Sequence, residues 1–304
     1  MSNINCSISI VITCFNNEKT IERAIRSTLS QENFDHVKEI IVVNDGSTDK
    51  SLELIQQSIE RTSVARFISQ PNRGAAAARN SGISESTGDF IAFLDGDDEW
   101  LPNRLTTFIN SFNTFPKCGL FYDSFYKTAG DFINKSVVTP KSYTGDRISY
   151  RSLFVKGGPI IPTTVTISRA AIDDVGMFDT NLRYNEDPEL WLRIARKYPL
   201  HHSKSITAIK HETPGSLGTF KSENYQALDY ITNKYLSIDP FLEAHVNKRV
   251  AKLTLTKASD LYRAGQYRNS AHLCFRSIRN DPIKLKAYLV LVRSLYALTI
   301  QRLG

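Results

Sequence analysis

The sequence predicts an α/β protein: a mostly parallel sheet flanked by helices over residues 1–218, then an all-helical extension over residues 219–304. Three observations carry this. In the first third of the chain, β-branched runs alternate with helix-period segments, as βαβ units on a parallel sheet do. Beyond Phe220 no strand signal appears. The net charge of +7 is also divided unevenly, because residues 219–304 hold 14 Lys and Arg against 6 Asp and Glu, a surplus of 8.

The apolar run SISIVIT has no basic segment before it and is too short to span a bilayer, so it reads as a buried first strand rather than a secretory leader. EKTIERAIRSTLSQ follows, with Ile21, Ala24, Ile25, Thr28 and Leu29 on one helical face. EIIVVND is a second buried strand, closed by Gly46, and residues 47–57 read as a helix capped by Ser47 or Thr48. ARFISQ, AAAARNSGISES and DFIAFLD continue the alternation as strand, helix and strand. Between residues 119 and 170 the pattern is less regular: LFYDSFYKT looks like a strand, and GGPIIPTTVTISR joins a Gly/Pro turn to another. PELWLRIARKY is a helix with Leu190, Trp191, Ile194 and Ala195 on one side. The Pro214-Gly215 turn sets the domain boundary near residue 218. In the extension, ASDLYRAGQYRNSAHLCFRSIRNDP resembles one tetratricopeptide-type hairpin through Ala258, Gly265, Tyr267, Ser270 and Pro282. A single unit cannot stack into a solenoid, so it is expected to pack on the preceding domain.

Composition narrows the function. Hydrophobic content of 41% and charged content of 23% are those of a globular protein. Cys6, Cys14, Cys118 and Cys274 are scattered without a CxxC spacing, which argues against a zinc site or disulfide framework and fits a reducing cytoplasm. No GxGxxG follows a strand, and neither a GxxxxGK[ST] loop nor a GxSxG elbow occurs.

Three acidic clusters remain. In GDFIAFLDGDDEWL a buried strand delivers Asp95, Asp97 and Asp98 at its C-terminal end, where open α/β sheets place ligands. Such acids repel unless a cation or donor neutralises them, and hard oxygen ligands suit Mg²⁺ or Mn²⁺ shared with substrate phosphates. The structural alternative is an acidic turn that caps the next helix. In VVNDGSTD, Asp45 ends a strand before a tight turn and could accept from a nucleobase N–H or simply close that turn. In NEDPELWLR, Pro188 at the first helical position would make Asp187 the N-cap, where the helix end would lower its pKa.

Taken together, SIVITCFNNEKTIERAIRSTLSQ, IIVVNDGSTDKS, NRGAAAARNSGI, GDFIAFLDGDDEWL, a GMFD segment and NEDPELWLR resemble, in that order, the inverting glycosyltransferase family 2. The resemblance covers about residues 8–218 and implies a GT-A, Rossmann-like fold. It implies that Thr13, Phe15 and Glu18 meet the nucleotide, with Phe15 stacking on the base, and that Asp45 holds the base edge. Arg79 would approach the nucleotide or its phosphates, Asp95 the ribose, and Asp97 a Mn²⁺ or Mg²⁺ ion bridging the diphosphate. Asp187 would be the catalytic base with Glu186 beside it, and His211, on a loop, would reach the metal or diphosphate. One departure is Asn44, where relatives often carry a first aspartate before Asp45. The expected donor is a nucleotide-sugar, UDP-linked by default, and the acceptor a glycan or lipid-linked hydroxyl as in surface-polysaccharide synthesis. Nucleic acid is not an expected partner. A nucleotidyltransferase would need a Gly-rich loop after the first strand, and CFNNEKT has none. A catalytically inactive module of the same fold would not need Asp45, Asp95, Asp97 and Asp187 together.

The last segment, IKLKAYLVLVRSLYALTIQRLG, is apolar but interrupted by Arg293 and flanked by Lys284, Lys286 and Arg302. It is expected either to contact an anionic membrane peripherally, at the inner face of the cell membrane, without crossing it, or to pack its apolar face on the catalytic domain with the basic residues left in water.

Overall fold

The computed structural model describes residues 6–129, 135–143, 147–212 and 222–303. The Pro214-Gly215 turn therefore lies outside the described residues. The chain divides into two compact units: residues 1–150 with 158–217, and residues 151–157 with 218–304. Arg249, buried in the C-terminal unit, donates to the Phe154 carbonyl, which ties the short 151–157 segment to that unit.

The N-terminal unit begins with alternating elements: β1 (Ile8–Cys14), α1 (Ile21–Leu29), β2 (Val37–Asn44), α2 (Ser51–Ile59), β3 (Ala65–Ser69), α3 (Ala75–Glu85) and β4 (Phe90–Asp95). It continues with β5 (Glu99–Trp100), α4 (Arg104–Thr114), β6 (Leu120–Ala129), β7 (Lys135–Val138), the start of α5 (Arg147–Lys156), whose residues from Arg151 on belong to the C-terminal unit, then β8 (Val165–Ser168), α6 (Arg169–Val175), α7 (Glu186–Lys197) and β9 (Leu200–Glu212). Among the described residues the strands form one sheet in the order β3-β2-β1-β4-β8-β6-β9-β5, with β7 on β6. The half built from β1 to β4 is parallel; β8 joins β4 and β6 antiparallel, and β6 runs parallel to β9. The sheet is thus an α/β core of the expected class that becomes mixed beyond β4.

Ile8, Ile10, Ile12, Val42, Ala92 and Leu94 are buried in the main core, which α1 closes with Ile21, Ala24 and Ile25. On the other face, α3 lies against β1: a Cβ at Gly82 would sit 2.3 Å from Val11 Cγ1, so this crossing requires glycine. The second half is pinned by a buried ion pair, Arg104 to Asp123 at 3.2 Å. Burial pushes the Arg104 guanidinium below its ordinary pKa, and Asp123 opposes that shift.

Several local expectations are corrected. Helix α2 starts at Ser51 rather than Ser47, with Lys50 as its N-cap; Asp49 accepts the Ser51 N–H at 3.0 Å, while the Ser47 hydroxyl accepts the Asn16 N–H. The segment read as a loop around His211 is the end of the 13-residue strand β9.

The C-terminal unit contains α8 (Ser222–Ile238), α9 (Glu243–Arg263), α10 (Tyr267–Asn280) and α11 (Leu285–Leu303). Gly265, at φ +75°, turns the chain from α9 into α10. Ser270 on α10 donates to the Ala258 carbonyl on α9 at 2.7 Å, both residues being fully buried, so the small side chains of the hairpin signature sit at the helix crossing. Helix α11 closes this core with Ala287, Val290 and Leu291. No described helix is long and apolar enough to cross a membrane.

Candidate active site

The C-terminal ends of β1, β2 and β4 define one edge of the parallel half-sheet, with Thr13 in register with Val43 on one side and Asp95 on the other. Thr13 Oγ1 donates to Asp95 Oδ1 at 3.3 Å. Arg79, buried on α3, donates from Nη2 to the same Asp95 oxygen and from Nη1 to Glu186 Oε1, each at 2.8 Å. Four sequence-predicted residues, Thr13, Asp95, Arg79 and Glu186, thus form one continuous polar chain. Burial alone would raise Asp95, but the charge and hydrogen bond of Arg79 hold it below its ordinary pKa. Burial opposes the charge on Arg79 too, yet Asp95 and Glu186 raise its pKa above the usual value.

Asp187 stands next to this chain. Helix α7 begins at Glu186 with Asn185, in the left-handed region at φ 61°, as its N-cap. Asp187 is therefore inside the first turn, with Pro188 after it, and the N-cap expectation is overturned. So is the expected direction of its titration: Asp187 is pushed up to about 8, first by burial and then by the adjacent Glu186 charge, against the pull of Arg79 and Lys210. The helix end is present, but desolvation of a carboxylate outweighs the roughly 1 kcal/mol such an end supplies.

The turn after β4 places Asp97 half-buried and Asp98 buried. A Cβ at Gly96 would come within 2.8 Å of the Thr13 carbonyl, so the residue between the two aspartates is held tight against β1. Asp98 accepts from Thr163 Oγ1 at 2.6 Å and from the His211 backbone N–H at 3.1 Å. Burial, with Asp97 and Asp95 nearby, raises Asp98 well above its ordinary pKa. Strand β5 pairs with β9 through Glu99 and Ile209, which brings His211 beside the acidic turn. The His211 ring meets Thr128 Oγ1 at 3.2 Å and Glu99 Oε2 at 3.5 Å, and burial with Arg23 nearby lowers its pKa, favouring the neutral imidazole.

Three other predicted residues lie at the loops of β1 and β2. Phe15 is 46% exposed, an aromatic face open to stacking. The Glu18 carboxylate accepts the Lys50 N–H at 3.2 Å and its own N–H goes to Asp49, so it also joins two loops. Asp45 is buried and accepts from Gln70 Nε2 at 2.7 Å and from the N–H groups of Arg73 and Gly74 at 3.0 and 2.8 Å. Its carboxylate thereby organises the loop into α3, the helix that carries Arg79. Asn44 closes the turn, accepting the Ser47 N–H at 3.2 Å while its amide donates to Ser69 Oγ.

Sequence reasoning missed Lys210, whose charge opposes the rise of Asp98 and Asp187 and helps to lower Asp95. Its signal was hidden because β9 was not read as a strand; a Lys-His pair at the end of a strand facing an acidic turn would have pointed to it.

Among the described residues no group of three or more His, Cys, Asp or Glu side chains is arranged to hold a metal ion by itself. Mg²⁺ and Mn²⁺ need no such cage, since they take one or two carboxylates and complete their shell with water and substrate phosphates. The half-buried Asp97 and a neutral imidazole at His211 are chemically suited to that role.

An acidic turn at the carboxyl edge of a parallel half-sheet, extended by a mixed half-sheet, is the arrangement of GT-A glycosyltransferases. The profile described as Glycosyl transferase family 2 matches residues 9–176, more than half of the chain, and the chain belongs to that family. A glycosyltransferase of Rickettsia bellii is 30% identical over 250 residues, covering 77% of this chain and 33% of that protein. The Escherichia coli glycosyl transferase WcaA, named for colanic acid biosynthesis, is 29% identical over 200 residues, covering 64% of this chain and 68% of that protein. The chain spans about a third of the length of the Rickettsia bellii relative and of a Nostoc glycosyltransferase that is 38% identical over 116 residues. Residues 1–349 of S. aureus TarS with UDP-GlcNAc superpose at a TM-score of 0.66 and 17% identity, over 96% of this chain and 89% of that one. The mannosyltransferase PcManGT of Pyrobaculum calidifontis, with GDP-Man and Mn²⁺, gives 0.64 and 17%, over 97% and 81%.

Proposed function

We propose that this glycosyltransferase moves a sugar from a UDP-linked donor to an acceptor hydroxyl on a glycan or lipid-linked glycan, inverting the anomeric centre. The observation that carries this reading is the Thr13–Asp95–Arg79–Glu186 chain beside a half-buried Asp187 whose pKa is pushed up to about 8. A general base works best when its pKa is close to the working pH, because it must be ionised yet still attract a proton in the transition state. Asp187 takes the proton of the acceptor hydroxyl while that oxygen attacks the anomeric carbon from the face opposite the nucleotide. The bond to the diphosphate breaks in the same displacement, so an α-linked donor gives a β-linked product.

Phe15 stacks on the base and Asp45 fixes its edge, directly or through the loop it organises; Thr13 and Glu18 shape the nucleotide floor. Asp95 orients the ribose while Arg79 holds that carboxylate in place. Mn²⁺ or Mg²⁺, held by Asp97 with His211, would neutralise charge on the leaving diphosphate. Complexes of TarS with UDP-GlcNAc and of PcManGT with GDP-Man and Mn²⁺ support a nucleotide-sugar donor and a divalent metal. WcaA supports a role in polysaccharide synthesis.

The test is release of nucleoside diphosphate from a panel of UDP-, GDP- and dTDP-sugars, with Mn²⁺, Mg²⁺ or EDTA. Acceptor-dependent release from a UDP-sugar that EDTA abolishes is expected. No release from any donor would refute the reading, and release of pyrophosphate from a sugar phosphate and nucleotide would replace it with nucleotidyl transfer.

A further inference from the structure

We infer that α11 is an interfacial helix through which the C-terminal unit docks on an anionic lipid surface. One face of this helix is committed: Ala287, Val290, Leu291 and Ser294 are buried against the helical core. The opposite face is apolar and open. Leu285 is 76% exposed, Leu289 61%, Val292 64% and Tyr296 69%. At 3.6 residues per turn these four fall within about 60° of one another, a continuous stripe along the helix. Tyr288, Leu295 and Ile300 widen it and are also exposed. Large exposed apolar patches mark interaction surfaces.

Charge selects the occupant. Helix α11 contains Lys286, Arg293 and Arg302 and no acidic residue, in a tail whose surplus is 8 positive charges. Lys286 and Arg293 are exposed and lie beside the stripe, about 80–100° around the helix from Leu285. This is the layout of a helix lying in a membrane interface, with its apolar face among the acyl chains and basic residues at headgroup level. Tyr288 and Tyr296 suit the same boundary, since their rings are apolar and their hydroxyls wet. A second copy of the chain is a poor fit. Antiparallel pairing about the helix centre would bring two Arg293 side chains together, parallel pairing would align every cation with its twin, and α11 offers no carboxylate to either arrangement. Crossing the bilayer is not the alternative, because no described helix is long and apolar enough.

The inference does not depend on the donor chemistry, and its test reads binding rather than turnover. The full chain is sedimented with vesicles of phosphatidylglycerol and phosphatidylcholine, and with phosphatidylcholine alone, across a salt series. Binding to the anionic vesicles at low salt, falling as salt rises, is expected. Leu289→Glu with Val292→Glu should abolish it, and these exposed positions leave the helical core intact. Lys286→Ala with Arg293→Ala should weaken it about 30-fold, since each basic residue near such a surface contributes about fivefold. The second pair keeps the test decisive if the first fails to fold. Equal recovery of all proteins in the supernatant would overturn the inference, as would equal binding to neutral vesicles. A dimer in solution that Leu289→Glu with Val292→Glu dissociates would overturn it in favour of a second copy.

Discussion

Glu186→Gln should move the acid limb of the pH profile without removing the base. In the native protein Asp187 is held near 8 by burial and then by the Glu186 charge. Replacing Glu186 with glutamine removes that charge and leaves Arg79 with Asp95 as its remaining carboxylate partner in this chain of contacts, so more of the guanidinium's field falls on Asp187. Both changes lower the Asp187 pKa. Two like charges about 5 Å apart at an effective dielectric of 20 repel by about 3 kcal/mol, or roughly two pK units; side-chain relaxation reduces this to roughly one to two. The assay is the initial rate of nucleoside diphosphate release between pH 5.5 and 9.5 at low donor, because kcat/KM reports the free enzyme. The native limb is expected near 8 and the variant limb near 6 to 7, with higher relative activity at pH 6. Asp187→Asn should lose the limb altogether and fall about 10²–10⁴-fold. Stability gives an independent check with the sign worked out. The folded-state pKa lies above the unfolded one, so Asp187 favours folding at low pH and this contribution is lost as pH rises from about 4 through about 8. Asp187→Asn should therefore raise Tm at pH 8 relative to the native chain. A native limb near 4, or one that stays near 8 after Glu186→Gln, would refute the reasoning.

Asp97→Asn preserves shape but removes the charge proposed to meet the metal, so metal-dependent turnover should fall by about 10² or more with Tm unchanged; near-native turnover would remove Asp97 from that role. Lys210→Met should move the Asp187 limb upward, opposite to Glu186→Gln, because Lys210 opposes the rise of Asp187; an unmoved limb would place Lys210 away from the site. Gly82→Ala forces a methyl to within 2.3 Å of Val11 and should lower stability by about 1–3 kcal/mol in urea titration. Asp123→Ala strands the buried Arg104 guanidinium and should cost about 3–5 kcal/mol by the same measurement.

What the sequence made legible was local. The runs SISIVIT, EIIVVND and DFIAFLD became β1, β2 and β4 because each is buried on both faces, and a parallel central strand has no polar alternation to confuse it. The residues at their ends were legible for the same reason, since a carboxylate directly after a buried strand must lie at the sheet edge. What was not legible depends on partners distant in the chain. Strand β9 mixes His, Lys and Ser with apolar residues, carries Lys204 at φ 65°, and changes register against β6; it is held as a strand by pairing with β6 and β5, not by its own pattern. His211 was read as a loop residue as a consequence. The direction of the Asp187 titration was misjudged because helix position is local, whereas burial is created by everything packed around it. For Asp45 the sequence left open a base-binding or a turn-closing role, and only the returning 70–74 loop reveals the donors that hold it.

Arg79 is where these local and distant features meet. Its position follows from α3, which is set against β1 by Gly82 and entered through a loop clamped by Asp45. From there one buried guanidinium reaches Asp95 at the end of β4 and Glu186 at the start of α7, residues 91 positions apart in the chain. Lysine would not fix both carboxylates in the same geometry, because its ammonium is a compact charge on a flexible stem where the guanidinium is a rigid planar fork. The proposed donor side and the proposed base are therefore mechanically joined: a shift of α3 moves the partner of Asp95 and the neighbour of Asp187 together.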